Sequence, residues 1–352
     1  MAEKSSYRNE IDAKNFQLTK NVLAELPSFV SDYIYSRFAS VSSQTLLQYS
    51  YSLRRFFDWM QKSIPHLSST PMCEISCDDL ARLTARDIEE FMMFLQMDTN
   101  NTNSRAGVSQ KIAAVGSLFS YLYRHDDIPA DPCAKVERPK LVRDKRIIYL
   151  TDDEAKRLLD TIEFGNAEIP PHQLTYLEAT RCRDLAIATV MLDTGVRLSE
   201  CVGLNIEDVN MDERRIQVYR KGGKYQYLPI NTEVVEILQA YLQERKRISP
   251  KDPSDAKALF LSMQERRITK TAVENMIKKY ALLAGITKPI TPHKLRKTYG
   301  TALYRKTRDI YLTANALGHE NVATTSKHYV DDTAESLREI ADSISVRTQN
   351  IR

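Results

Sequence analysis

An arginine, a lysine, a His-x-x-Arg pair, a second histidine and a tyrosine follow one another through the C-terminal half of the sequence. Arg197 stands in Thr194-Gly195-Val196-Arg197-Leu198-Ser199-Glu200, and Lys221 opens Lys221-Gly222-Gly223-Lys224. His293 and Arg296 bracket His293-Lys294-Leu295-Arg296, and Leu317-Gly318-His319 is followed ten positions later by Tyr329. Guanidiniums can stabilise negative charge developing on a phosphate, and a tyrosine hydroxyl can be an attacking nucleophile. Taken singly, each motif is weak. Arginine is usually a surface residue, a His-x-x-Arg tetrapeptide arises often by chance, and most of the 18 tyrosines must be packing residues. The order of the motifs along the chain is what carries information.

Around these motifs there is no Asp/Glu cluster of the kind that two-metal phosphoryl transfer requires, and no Gly-x-x-x-x-Gly-Lys-Ser/Thr loop for a nucleotide. The expected chemistry needs no cofactor, neither metal nor ATP.

The elements that must position these groups read as mostly helical. Over 44–62, Leu47, Tyr51, Leu53, Phe56, Phe57 and Met60 recur at helical spacing, leaving Arg54 and Arg55 to face outward. Thr84 with Asp87 suggests an N-cap, opening a helix through Phe91, Phe94 and Leu95, and a further helix spans 105–124. Across 126–146, Pro129, Pro132 and Pro139 exclude continuous helix, and Lys135, Arg138, Lys140, Arg143, Lys145 and Arg146 crowd together. On its own such a run is a solvated hinge. Beyond it, Thr151 and Glu154 form an apparent capping box over 151–162, and 183–194 is strongly apolar. Two β-prone runs, 215–219 and 225–230, flank Lys221-Gly222-Gly223 as a hairpin. Residues 231–247, 269–284, 293–305 and 333–345 read as helices again. The expected fold class is mainly α with a small antiparallel β-sheet in the C-terminal domain. Two stretches, 63–83 with its Ser and Pro content and 164–180 with Pro170-Pro171, read as surface insertions.

A chain of 352 residues exceeds the usual size of a single core, so two domains are expected. The net charge of +4 permits a basic face without proving one. No apolar run approaches the roughly 18–20 residues of a membrane span, and residues 1–15 lack the apolar core of a secretory signal, so a cytoplasmic protein is expected. The five cysteines are scattered, and Cys73-x-x-x-Cys77 has no second Cys or His pair beside it, which points to reduced structural thiols rather than a zinc site.

The joint order Arg, Lys, His-x-x-Arg, His, Tyr resembles the tyrosine recombinase and phage integrase family, with an architecture similar to Xer-like two-domain recombinases. The resemblance covers roughly residues 28–340 and is strongest in the C-terminal half. It implies that Arg197 and Arg296 clamp the scissile phosphate, that His293 belongs with Arg296, that His319 is the second histidine, and that Tyr329 is the nucleophile. Glu200 matches an acidic position that could orient Arg197. Lys221 is the hairpin lysine and general acid, with Lys224 of the same turn as a competitor. A tyrosine must lose its proton as it attacks, to His293 as base or with help from cationic neighbours. The two-guanidinium clamp suits the charge that develops on the non-bridging oxygens of an in-line displacement.

The resemblance also implies a DNA clamp: an N-terminal extension over 1–28, a helical core-binding domain over 29–128, a basic linker over 129–147, a catalytic domain over 148–332 and a C-terminal tail helix over 333–352 that contacts another protomer. Within it Arg54, Arg55, Arg105 and Lys111 become candidate DNA contacts, and Lys140, Arg143 and Lys145 make the linker a strap along phosphates. The implied partners are double-stranded DNA with paired inverted half-sites, a homotetramer or related heterotetramer on two sites, and an accessory directionality factor. Two alternatives stand beside recombination: relaxation by a type IB topoisomerase-like activity, and a non-catalytic DNA-binding protein on the same fold.

Overall fold

A computed structural model describes residues 6–97, 103–137, 148–165, 171–220, 225–319 and 322. The chain divides into two compact units, residues 5–144 and 145–352. The division falls inside the segment read as the basic linker.

The first unit is built from six helices among the described residues: α1 (Ser6–Leu23), α2 (Ser28–Ser36), α3 (Ser43–Ser63), α4 (Cys77–Ala81), α5 (Ala85–Met97) and α6 (Arg105–Arg124). Helix α3 starts where the Ser42 side chain accepts from the Thr45 amide, and it buries Leu46, Leu53, Phe56, Phe57 and Met60. At the start of α5 the Asp87 carboxylate accepts from both the amide and the hydroxyl of Thr84. Phe56 sits at the centre of the core, with ring centroids 5.1 Å from Phe91, 5.7 Å from Phe57, 5.8 Å from Trp59 and 5.9 Å from Phe119. Each such side chain, fully withdrawn from water, contributes roughly 1.5–3 kcal/mol.

Three readings of this half need correction. The segment before residue 29 is not a separate extension, because α1 packs along α3 and Val22, Leu23 and Leu26 are buried in the core. Asn15 Nδ2 donates to Ser43 Oγ at 3.1 Å, joining the two helices. Residues 63–83 are not a surface insertion either: Leu67, Ile75 and Leu80 enter the same core, and Ser76 and Asp79 cap α4 reciprocally. The start of the linker is folded as well. Asp131 caps a short 3-10 turn, Pro132–Lys135, and Cys133 and Val136 pack against the core.

The second unit contains α7 (Asp152–Phe164), α8 (Pro171–Thr194), α9 (Leu198–Gly203), β1 (Val209–Asn210), β2 (Arg215–Tyr219), β3 (Tyr225–Pro229), α10 (Thr232–Arg245), α11 (Lys270–Leu283), α12 (Pro292–Thr307) and α13 (Ile310–Leu317). The Thr151–Glu154 capping box forms, and Lys288 Nζ holds the same carboxylate at 2.6 Å. Helix α8 is the spine, packed by α7, α10 and α12 and burying Ala186, Ile187, Ala188, Val190 and Met191. It begins at Pro171, so residues 171–180 are helix rather than insertion: proline is compatible with a first turn, whose amides have no intrahelical acceptor. The antiparallel sheet runs β1-β2-β3, with Ile216 opposite Leu228 and Tyr219 opposite Tyr225. Ile216, Val218 and Leu228 face inward by strand alternation. All five cysteines are free thiols. No helix among the described residues is long and apolar enough to cross a membrane.

Candidate active site

The site forms around the end of α13. Asp309 caps the start of that short helix, accepting from the amides of Tyr311 and Leu312 at 2.8 and 2.9 Å. Its far end is closed by Gly318 at φ 61°, with the Gly318 amide donating to Asn315 O and the His319 amide to Ala314 O, both at 2.9 Å. That pair of bonds is the left-handed glycine stop that ends many helices, and it fixes the backbone of His319. The Leu317-Gly318-His319 motif is therefore first a helix terminus. The His319 ring is part-exposed beside it.

A helix end leaves its last carbonyls without intrahelical donors and carries partial negative charge. Here four successive carbonyls each receive a side chain from elsewhere. Gln226 Nε2 donates to Asn315 O at 2.9 Å and Arg220 Nη2 to Ala316 O at 3.1 Å. Arg296 Nη2 donates to Leu317 O, and Arg197 Nη2 to Gly318 O at 2.8 Å. Three guanidiniums thus converge on one turn.

Arg197 reaches it from the α8–α9 corner. Gly195, at φ 61°, turns the chain there, and a Cβ on it would collide with the Tyr299 ring. Glu200, on the first turn of α9, then accepts from the Arg197 amide at 3.0 Å and from Arg197 Nη1 at 2.8 Å. The Glu200 side chain is 6% exposed and that of Arg197 is 35% exposed, so the carboxylate is buried behind a guanidinium that still faces solvent. Among the described residues two of the five N–H donors of Arg197 have acceptors, the Glu200 carboxylate and Gly318 O, which leaves donors for an anion.

Arg296 comes from α12, where Pro292 occupies the first turn. It is buried at 4% exposure and also donates Nη1 to Gly195 O, so its planar fork joins the α8–α9 corner to the α13 terminus. His293, three residues earlier, is exposed at the start of α12. Tyr299 packs against Gly195; burial, and next the charge of Asp193, push its phenol above the ordinary value. That disfavours its ionisation, in contrast to what a nucleophile needs.

Of the residues singled out from sequence, Arg197, Glu200, Arg296 and His319 meet around Gly318, with His293 one turn before Arg296 on α12. Lys221, Lys224 and Tyr329 lie outside the described residues, as do Lys140, Arg143, Lys145 and the 333–352 tail. Arg220 and Gln226 were missed. The available signal was alternation: on β2 the inward positions Ile216 and Val218 continue to 220.

In the first unit the four basic candidates stand in different surroundings. Arg54 pairs with Glu25 at 3.0 Å, both half exposed. Arg55 does not simply face outward; it is partly buried, bonded to Asp58 at 2.8 Å and set over the Phe94 ring at 4.7 Å. Lys111 donates to Asn103 Oδ1 at 2.6 Å, and burial followed by the charge of Arg55 pushes its ammonium below the ordinary value. Arg55 and Lys111 are therefore electrostatic neighbours. Arg105 is exposed on the first turn of α6.

The family described as the phage integrase family matches residues 149–336, more than half of the chain. This chain belongs to the phage integrase family. Among relatives, "Tyrosine recombinase XerS" of Streptococcus uberis is 32% identical over 340 residues, covering 88% of this chain and 94% of the relative. "Tyrosine recombinase XerC" of Caldanaerobacter subterraneus subsp. tengcongensis is 33% identical over 299 residues, covering 83% and 79%. The fold is shared with the XerH site-specific recombinase bound to palindromic difH substrate, at a TM-score of 0.65 and 20% identity over 85% of this chain and 80% of that one.

Proposed function

We propose that this chain is a site-specific DNA recombinase that cleaves and rejoins duplex DNA through a 3′-phosphotyrosine intermediate. The observation that carries the reading is the convergence of Arg197, from the α8–α9 corner, and Arg296, from α12, on the turn that leads into His319, with Glu200 holding Arg197 in place. Membership of the integrase family and relatives named tyrosine recombinases support it.

In this mechanism the phenolic oxygen of Tyr329 attacks phosphorus in line. A P–O bond to tyrosine forms as the P–O5′ bond breaks. Negative charge gathered on the non-bridging oxygens is met by Arg197 and Arg296, each guanidinium already held in place by its bonds to backbone carbonyls and, for Arg197, to Glu200, so little reorganisation accompanies the reaction. His319 adds a hydrogen bond to the phosphate or braces the nucleophile. The phenol proton passes to His293, and the departing 5′ oxygen takes a proton from Lys221 or Lys224 in the hairpin turn. The phosphotyrosine ester conserves the bond energy, so a 5′ hydroxyl from a second strand can reverse the attack without ATP.

The partners of such a reaction are double-stranded DNA with paired inverted half-sites and a tetramer of protomers on two sites, with residues 333–352 docking between protomers. The solved neighbour bound to a palindromic substrate supports the DNA partner. The task is integration or excision of a mobile element, or resolution of chromosome dimers, in the cytoplasm, with an accessory factor setting direction.

Incubation with a suicide duplex drawn from DNA flanking the gene should yield a covalent protein–DNA band on a denaturing gel. Tyr329→Phe should bind the same duplex and give no band. A covalent band from that variant would overturn the nucleophile assignment. Relaxation of supercoils without strand exchange would point instead to a topoisomerase, and binding without any covalent band in the parent protein would leave only a DNA-binding role.

A further inference from the structure

Arg220, one residue past the end of β2, continues the inward alternation of Ile216 and Val218, where a chain that needed only packing would carry a third aliphatic residue. The residue is 6% exposed. Burying a guanidinium is unfavourable unless its donors are used. Yet Nη2 alone has an acceptor, Ala316 O, while Nε and Nη1 have none among the described residues. Stabilisation of the fold is a poor account of such a group.

Its placement is more informative. The guanidinium lies against Gly318, in the space that any side chain at 318 would occupy. Burial lowers its pKa, and Glu200, the carboxylate that holds Arg197, opposes that shift. On the opposite strand Gln226 is tied to Asn315 O. The two strands that flank residues 221–224 are thus anchored to successive carbonyls at the end of α13, one step from His319.

We propose that Arg220 is a positioning residue for strand cleavage: it locks the strand end leading into Lys221 against the turn leading into His319, so that the hairpin lysine and the second histidine meet the same phosphate together. The inference rests on reading a lysine of the 221–224 turn as the general acid.

The test compares two suicide duplexes, one with the natural 5′-bridging oxygen and one with sulfur in its place. A thiolate leaves without protonation because a thiol is far more acidic than an alcohol, so the sulfur substrate bypasses the general acid. R220M should bind both duplexes as the parent does and cleave the oxygen substrate at least about tenfold more slowly, a fraction of the ~10²–10⁴-fold supplied by a general acid. On the sulfur substrate it should come within about threefold of the parent rate, most of the general-acid deficit being removed. R220K, which keeps the charge but loses the planar fork, should show the same pattern and stands in if R220M fails to fold. Equal slowing on both substrates, or parent-like cleavage of the oxygen substrate, overturns the proposal. Lys221→Ala and Lys224→Ala separate the two readings. If neither lysine variant is rescued by sulfur, the general-acid assignment fails; if one is rescued and the Arg220 variants are not, the positioning role fails.

Discussion

Glu200→Gln isolates the support of the phosphate clamp from the clamp itself. The buried carboxylate accepts from the Arg197 amide at 3.0 Å and from Nη1 at 2.8 Å, one oxygen for each donor. Glutamine keeps the shape but offers one oxygen, and its NH2 must face an N–H donor at the other position. One charge-assisted hydrogen bond is therefore lost, worth about 2 kcal/mol within the usual 1.5–3 kcal/mol range. Arg197 retains its bond to Gly318 O, so the guanidinium stays near the site but loses the restraint that sets its angle. If the whole loss falls on the transition state, cleavage slows about 30-fold, since about 1.4 kcal/mol is tenfold.

Single-turnover formation of covalent complex on a suicide duplex measures this directly, with a gel-shift titration alongside. The expected outcome is a roughly 30-fold lower rate at nearly unchanged duplex affinity, because one phosphate contact among many governs binding only weakly. A thermal melt shows how much of the loss falls on the fold instead: about 2 kcal/mol lowers Tm by roughly 4–8 °C in a unit of this size. Parent-like cleavage by Glu200→Gln would refute the orienting role. Equal losses in affinity and rate would mean that Glu200 supports DNA binding rather than transition-state alignment.

Gly318→Ala should lower both Tm and cleavage, the latter at least about tenfold, because alanine at φ 61° is strained by about 1–2 kcal/mol and its Cβ expels Arg220. Gly285→Ala is the control: its φ is 66° but nothing lies within 4 Å of the added carbon, so it should affect stability alone. Joint replacement of Arg55 and Lys111 by alanine should weaken duplex binding and reduce the salt slope by more than Arg54→Ala, whose side chain is paired with Glu25; equal effects would dissolve the distinction drawn between them. The Glu154 carboxylate feels burial pulling its pKa up, but donation from Lys288 and Thr151 outweighs it and holds the group below its ordinary 4.5. A depressed folded-state pKa means stability that is present above about 4.5 and lost as pH falls through the lower folded value. Glu154→Gln should therefore flatten the acid limb of the second unit's stability curve in that window, as read by denaturant midpoints from pH 6 to about 3.

Much of the fold was legible because its signals are local. Ser42, Thr84, Thr151 and Thr269 sit where helices begin, and each side-chain or capping-partner bond lies within three residues of itself. The hairpin was legible for the same reason, with two β-prone runs either side of two glycines. Helix α1 was not, since part of the face it buries is polar: Asn15 and Thr19 are at 7% and 3% exposure, so the apolar periodicity that marks an inward stripe is interrupted. The start of α8 was hidden because Pro171 reads as a breaker but stands at the first position of the helix.

The candidate site divides along the same line. Side-chain type carries the chemistry, so Arg197, the His293-Lys294-Leu295-Arg296 pair and His319 stand out by identity and order. What holds them is a set of backbone carbonyls, and every residue has one. Arg197 meets Gly318 across 121 positions, Arg220 meets Ala316 across 96, and Arg296 meets Leu317 across 21. No periodicity encodes such pairings, because an acceptor carbonyl leaves no mark on residue choice. The exception is glycine: at Gly195 and Gly318 a ring or a guanidinium occupies the place of a side chain and the backbone is left-handed, so their requirement is sterically visible. The Leu-Gly-His motif is informative for that physical reason. Its glycine ends a helix and makes room for Arg220, and only as a consequence does the histidine that follows arrive beside two further arginines.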